Sequence, residues 1–372
     1  MKILVTGADG YLGWPFILSL SLKFPKAQII GIDNKFRRKW VKNLKGNSAI
    51  KIASFNSKRQ FLKKINIKND LLNFDLCNFL KVNNVIKKNK FDIIFNLAAQ
   101  PSAPYSIISA DHCNFTQNNN NQILRNFIWA LKINKLEKTC FVHTTTTGTY
   151  GTPNFSIPEG FLKVKNKDYL FGHMAGSWYH NSKCHDTTNL YFANRIWNMN
   201  IHDFRTAIIL GLNYDYYEYQ RDNLFNTRFD YDFYFGVVAH RFIAMSYKNK
   251  DLTVYGKGLQ KKPFISLNDT IKSLVNFVEN KNNKKYGYNV YNQFTFLSSI
   301  NSIAENLSSL NSKIKIKHIE NPRVEDEKHQ MKMINKNFRK IFKEKIEKPS
   351  KIFRDTIKIL KLNNANFKKH FK

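Results

Sequence analysis

The stretch TGADGYLG, Thr6–Gly13, decides the fold. It closes a short apolar run, Lys2–Thr6, rich in β-branched residues, and opens a helical pattern over Leu12–Phe24. Three glycines, Gly7, Gly10 and Gly13, let the backbone turn sharply and approach a pyrophosphate. A helix that starts there offers free N–H groups and partial positive charge to the same anion. A second apolar run, Gln28–Ile32, ends in Asp33, about 20 residues on, where a carboxylate binds a ribose 2′-hydroxyl. Strand, glycine turn, helix, strand and acid together predict a dinucleotide site.

The pattern continues outward. FDIIFNL (91–97), CFVHTTT (140–146) and TAIIL (206–210) read as strands, and Asn119–Ile133 and Ser177–Trp197 as helices. Strands alternating with helices imply right-handed crossovers and a parallel sheet. The expected architecture is α/β: a Rossmann-type doubly wound parallel sheet with a smaller C-terminal α/β substrate domain. The boundaries expected are 1–210 for the nucleotide half, 211–330 for the substrate region and 331–372 for a basic helical tail. A helix is also expected over Gly236–Tyr247.

Asp33 favours NAD, because a carboxylate repels the 2′-phosphate of NADP; Arg37 and Arg38 argue the other way. Asp9, Tyr11 and Leu12 fill the glycine turn, Asn34 follows Asp33, and Asp75 could bond an adenine amino group. Leu97 and Ala98 lie where the backbone would pass the cofactor.

Tyr179 and Lys183, in GSWYHNSKCHD (176–186), are four apart and share one face of a helix. Bringing a tyrosine from its usual value near 10 to neutral pH requires about 4 kcal/mol. One cation about 4 Å away at an effective dielectric near 20 supplies that much. The pair could then take a hydroxyl proton while hydride leaves for NAD. Thr146, at a strand end, is the expected partner of the reacting oxygen, with Thr144, Thr145 and Thr147 as neighbours.

The chain has 372 residues and a formal charge of +33. That charge would suit nucleic acid, but the lysines are scattered and accompany abundant Asn and Ile, so composition explains it and a nucleic-acid partner is not expected. The four cysteines have neither metal spacing nor pairing pattern. No apolar run of about 18 residues suggests a membrane span. The chain opens directly on a strand, so no leader is expected. A cytoplasmic enzyme with no metal is expected.

GADGYLGW (7–14), IDNKFRR (32–38), QPSAPYS (100–106), FTQNNN (115–120), YGTPN (150–154), SWYHNSKCHD (177–186), RFDYDFYFG (228–236), LTVYGKGLQ (252–260), YNQFT (291–295) and NPRVEDEKH (321–329) resemble, in order, segments of the UDP-sulfoquinovose synthase branch of the extended short-chain dehydrogenase/reductases. The resemblance implies tightly bound NAD and a reaction of UDP-glucose with sulfite. C4 is oxidised, the C5 proton becomes acidic, water leaves from C6, sulfite adds there, and hydride returns to C4. Tyr179 would be the base at the C4 hydroxyl, Lys183 its tuner and Thr146 the holder of that oxygen; His180 would do acid/base work or packing. Arg323 would grip the diphosphate. Gln100, Tyr105, Arg228, Gln260 and Lys262 would line the substrate site, Lys262 standing where the family often has arginine. A homodimer is implied. The chain departs from the family at TTGTYG, where Thr149 replaces a glutamate, and at Pro101, which replaces an arginine. An NAD-dependent nucleotide-sugar epimerase or dehydratase is the alternative; a non-catalytic NAD- or nucleic-acid-binding protein is the third.

Overall fold

The computed structural model describes residues 1–216, 222–281, 285–321 and 329–368. The chain alternates as expected through its first half: β1 (Lys2–Thr6), α1 (Gly13–Lys23), β2 (Gln28–Asp33), α2 (Phe36–Asn43), α3 (Phe55–Ile65), β3 (Asp70–Asn73), α4 (Phe79–Asn89), β4 (Ile93–Asn96), α5 (Ala110–Ile133) and β5 (Cys140–Thr146). A hairpin of β6 (Phe161–Val164) and β7 (Lys167–Leu170) precedes α6 (Trp178–Trp197), β8 (Ile201–Thr206) and β9 (Ile208–Leu210). Then come α7 (Val238–Tyr247), β10 (Leu252–Tyr255), β11 (Lys261–Ser266), α8 (Leu267–Glu279), β12 (Tyr288–Gln293), β13 (Phe296–Ser299), α9 (Ile300–Ser308), β14 (Ile316–Ile319), α10 (Lys336–Ile341) and α11 (Pro349–Leu362).

Seven strands form one sheet in the order β12-β8-β5-β4-β1-β2-β3, and every pairing in it is parallel. The order reverses between β1 and β4, which opens the crevice where dinucleotides bind in doubly wound sheets. Both faces are covered, so the strands carry near-continuous apolar runs such as the buried Ile3, Leu4 and Val5. Phe16, Ile17 and Leu20 of α1 pack on one face with Phe95 and Phe277; Leu124, Phe127 and Leu131 of α5 pack on the other with Phe141 and Leu190.

Two expectations change. TAIIL is not one strand: β8 ends at Thr206 and Ile208–Leu210 joins a separate three-stranded sheet, β13-β11-β9. The break lets the chain leave the first sheet for the second. The large sheet also takes its last strand from beyond residue 210, because β12 pairs with β8 along its whole length. The span 1–210 therefore does not hold the entire sheet. The basic tail does pack back as helices: Phe338 and Ile341 enter the first core, and Ile352, Phe353, Ile359 and Leu360 the second.

Candidate active site

The glycine turn is built as a cradle. Gly7 has φ 69°, in the left-handed region, and a Cβ there would sit 3.2 Å from the amide of Ala98 and the carbonyl of Leu97. A Cβ on Gly13 would lie 2.0 Å from the Gly7 carbonyl oxygen. Only bare backbone closes this turn, and the N-terminus of α1 stands just behind it. That fits a pyrophosphate, and Asp33 at the end of β2 fits the adenosine ribose. Leu97 and Ala98 both donate backbone N–H bonds to Thr6 Oγ1, at 3.0 Å each. They lie against Gly7.

Around this turn the charged side chains are already committed. Asp33 accepts from the backbone N–H groups of Asp9, at 3.0 Å, and Lys35, at 2.5 Å. Burial, with the nearby charge of Asp9, pushes its carboxyl above the usual range. Arg37 is bound by Asp230, which also takes Arg228. Arg38 is bound by Asp9. Asn34 accepts from the N–H of Phe36, just ahead of α2; Asp75 accepts from that of Cys77. The Tyr11 hydroxyl reaches across to the Gly211 carbonyl, and Leu12 packs into the first core.

Tyr179 lies in the first turn of α6, two residues after the cap at Ser177, whose hydroxyl accepts from the His180 amide. The Tyr179 amide is fixed by Ser106 Oγ at 3.1 Å. Thr146 ends β5; its hydroxyl accepts from the Gly148 amide at 3.1 Å. His180 bonds Ser177 through Nδ1, and its ring covers Gly148: a Cβ there would fall 2.3 Å from the ring. Burial, aided by the charge of Lys262, lowers the imidazole to about 4, so it is neutral at pH 7.

Lys183 has a counter-ion of its own. Its ammonium is 2% exposed. It bonds Asp186 Oδ2 at 3.0 Å, one helical turn on. Burial and the Asp186 charge together drive the Tyr179 phenol above its usual value of 10.0.

Asp186 is the end of a buried chain that sequence reasoning missed. His143, in β5, meets the same Oδ2 at 3.0 Å. The His143 Nδ1 faces the Asn96 amide nitrogen at 3.0 Å, and that nitrogen can only donate. The imidazole proton must therefore sit on Nε2 and be given to Asp186. Asn96 Oδ1 in turn accepts from the Thr6 hydroxyl at 2.8 Å. Directional bonds run from the cofactor-side amides of Leu97 and Ala98 to the lysine. Burial and the Lys183 charge hold His143 neutral. Burial pushes the Asp186 carboxyl up, but the charge of Lys183 and the bond from His143 outweigh it, leaving it below the ordinary value. The signal was available: a polar run, HTTT, in a strand buried on both sides demands partners.

The remaining expected residues divide. Gln100 is buried and holds its own loop, donating to Thr116 Oγ1 and the Ser102 carbonyl. Tyr105 is buried against His112, Phe235 and Trp40. Gln260 is buried just before β11 and Lys262 lies on that strand, near enough for its charge to act on His180. Arg323 lies outside the described residues. Thr149 is buried and its hydroxyl donates to the Thr146 carbonyl at 2.9 Å. Pro101 is exposed.

Among the described residues no group of acids, histidines and cysteines could hold a metal, and no helix is long and apolar enough to cross a membrane.

The profile of the family described as GDP-mannose 4,6 dehydratase matches residues 4–160. UDP-sulfoquinovose synthase of Sulfolobus acidocaldarius is 34% identical, over 88% of this chain and 84% of that protein. The chloroplastic UDP-sulfoquinovose synthase of Spinacia oleracea is 32% identical, over 88% and 69%. The fold also matches a Bacillus cereus UDP-glucuronic acid 4-epimerase solved with UDP-glucuronic acid and NAD, with a TM-score of 0.71 at 20% identity, over 97% of this chain and 99% of that one. With its parallel sheet and glycine cradle, the chain belongs to the UDP-sulfoquinovose synthase family of extended short-chain dehydrogenase/reductases.

Proposed function

We propose that this protein is an NAD-dependent enzyme that converts a UDP-hexose, UDP-glucose first among them, and sulfite into a sulfonated nucleotide sugar. Supporting the reading are Thr146 at the carboxyl end of β5 and Tyr179 and Lys183 on α6, which packs against β5, in a chain this similar to two synthases. Gly7, Gly10, Gly13 and Asp33 would hold NAD, which would supply a hydride acceptor and later donor for C4. Thr146 orients the C4 oxygen and Tyr179 takes and returns its proton. Lys183, fixed by Asp186, holds position beside them. Neutral His180 can accept a proton but has none to give as an imidazolium.

Arg228, Gln260, Lys262 and Arg323 are assigned to the UDP portion, because a diphosphate needs fixed cations and donors. Tyr105 and Gln100 shape the wall of the sugar site. Trp129 and Ile133 of α5 and Phe192 and Ile196 of α6 are 49–58% exposed, which supports a homodimer through these helices. Four free thiols support a reducing, cytoplasmic setting.

One observation favours a second reading. Thr149 has neither the acid nor the free hydroxyl that loss of a C6 hydroxyl calls for, whereas C4 epimerisation needs only the tyrosine and the cofactor. Mass spectrometry after incubation with UDP-glucose, with proton NMR of the sugar to read the configuration at C4, separates them. A sulfonated UDP-hexose that forms only with sulfite supports the synthase. An unchanged mass with inversion at C4 replaces it by an epimerase, and loss of one water without sulfite uptake by a dehydratase.

A further inference from the structure

Two cations flank the acidic end of β2. Arg38 lies on α2 and Lys58 on α3, and an arginine in this neighbourhood is what lets related sites accept a 2′-phosphate. Here neither is at liberty. Asp9, inside the glycine turn, takes Arg38 through two bonds, Oδ2 to Nε at 2.5 Å and Oδ1 to Nη2 at 2.9 Å. The same Oδ1 takes Lys58 Nζ at 2.7 Å. Arg38 Nη2 also donates to the Ala53 carbonyl, and the Lys58 ammonium lies 4.8 Å from the Trp14 ring. Asp9 and Lys58 are almost wholly buried. The backbone N–H of Asp9 then binds Asp33 Oδ2 at 3.0 Å, so the cluster is tied to the ribose-binding acid itself. Two carboxylates and two cations cancel. An incoming phosphomonoester, with charge near −2, would find the positive groups spoken for and Asp33 in front of it.

We propose that Asp9 is a cofactor-selecting residue: by binding Arg38 and Lys58 it masks a latent 2′-phosphate site and restricts the pocket to NAD. The inference rests on the reading that NAD occupies the glycine cradle, and it accounts for an arginine beside Asp33 that would otherwise favour NADP.

The test is calorimetric titration of the full chain with NAD and with NADP, in wild type, Asp9→Asn and the double variant Asp9→Asn/Lys58→Met. The double variant removes the buried ammonium that Asp9→Asn alone leaves unpaired, and so preserves the test if the single variant folds poorly. Wild type should bind NAD more tightly than NADP. Either folded variant should move the affinity ratio at least tenfold towards NADP, and adding Arg38→Ala should cancel the gain. An unchanged ratio, or equal weakening of both cofactors, overturns the role of Asp9. Failure of wild type to bind NAD instead overturns the reading on which it rests.

Discussion

Replacing Asp186 by Asn removes the charge that neutralises Lys183 while keeping the shape. The two atoms in the ion pair are 3.0 Å apart, and both side chains are almost fully buried. At an effective dielectric near 20 the lost attraction is about 5–6 kcal/mol. The amide oxygen still accepts one bond, which returns about 1–2 kcal/mol. The variant should therefore be less stable by about 3–5 kcal/mol at pH 7, within the range for breaking a buried pair. Denaturant unfolding followed by tryptophan fluorescence measures it. The pH dependence has a definite sign. Asp186 titrates below its ordinary value of 3.8, so its contribution is complete above that value and lost as pH falls through the folded one. The gap between wild type and variant should be constant from pH 6 to 8 and narrow below about pH 4. A loss under about 1 kcal/mol at pH 7, or a gap that widens in acid, would refute the assignment of a buried, charged pair.

Other outcomes follow from the same geometry. Tyr179→Phe should lower turnover by about 10²–10⁴-fold while changing NAD affinity only slightly, as rapid quench and titration would show. Gly13→Ala places a methyl group against the Gly7 carbonyl; it should weaken NAD binding by at least about tenfold and destabilise by about 1–3 kcal/mol, read by titration and thermal unfolding. Burial raises the thiols of Cys77 and Cys140 to about 12 and that of Cys184 to about 11, so alkylation at pH 8, followed by peptide mass spectrometry, should spare all three in the native protein and reach them after denaturation.

What could be read from sequence was local. The glycine turn, Asp33, and the spacing of Tyr179 to Lys183 each lie within one strand–turn–helix or one helical face, where chain geometry fixes the neighbours. The helix over Ser177–Trp197 starts at Ser177 because that hydroxyl caps it, a signal carried by adjacent residues. The pairing of Asp186 with His143 spans 43 positions and depends on how α6 lies on β5, which no spacing encodes. Lys183 and Asp186, three apart on one helix, form a local pair whose spacing was legible but was not read. Arg37 and Arg38 were ambiguous because their carboxylates, Asp230 and Asp9, are 193 and 29 positions away.

The position of β12 bears on how the protein is made. Its partner β8 is synthesised by residue 206, yet Tyr288–Gln293 does not follow for about 80 residues. Until then β8, buried along its whole length in the finished protein, is the open edge of a growing sheet. Such an edge is a template for wrong pairing with other chains. The nascent polypeptide must cross this interval with that strand uncovered, so yield in a cell would depend on translation speed and chaperone supply as well as on the stability of the final fold.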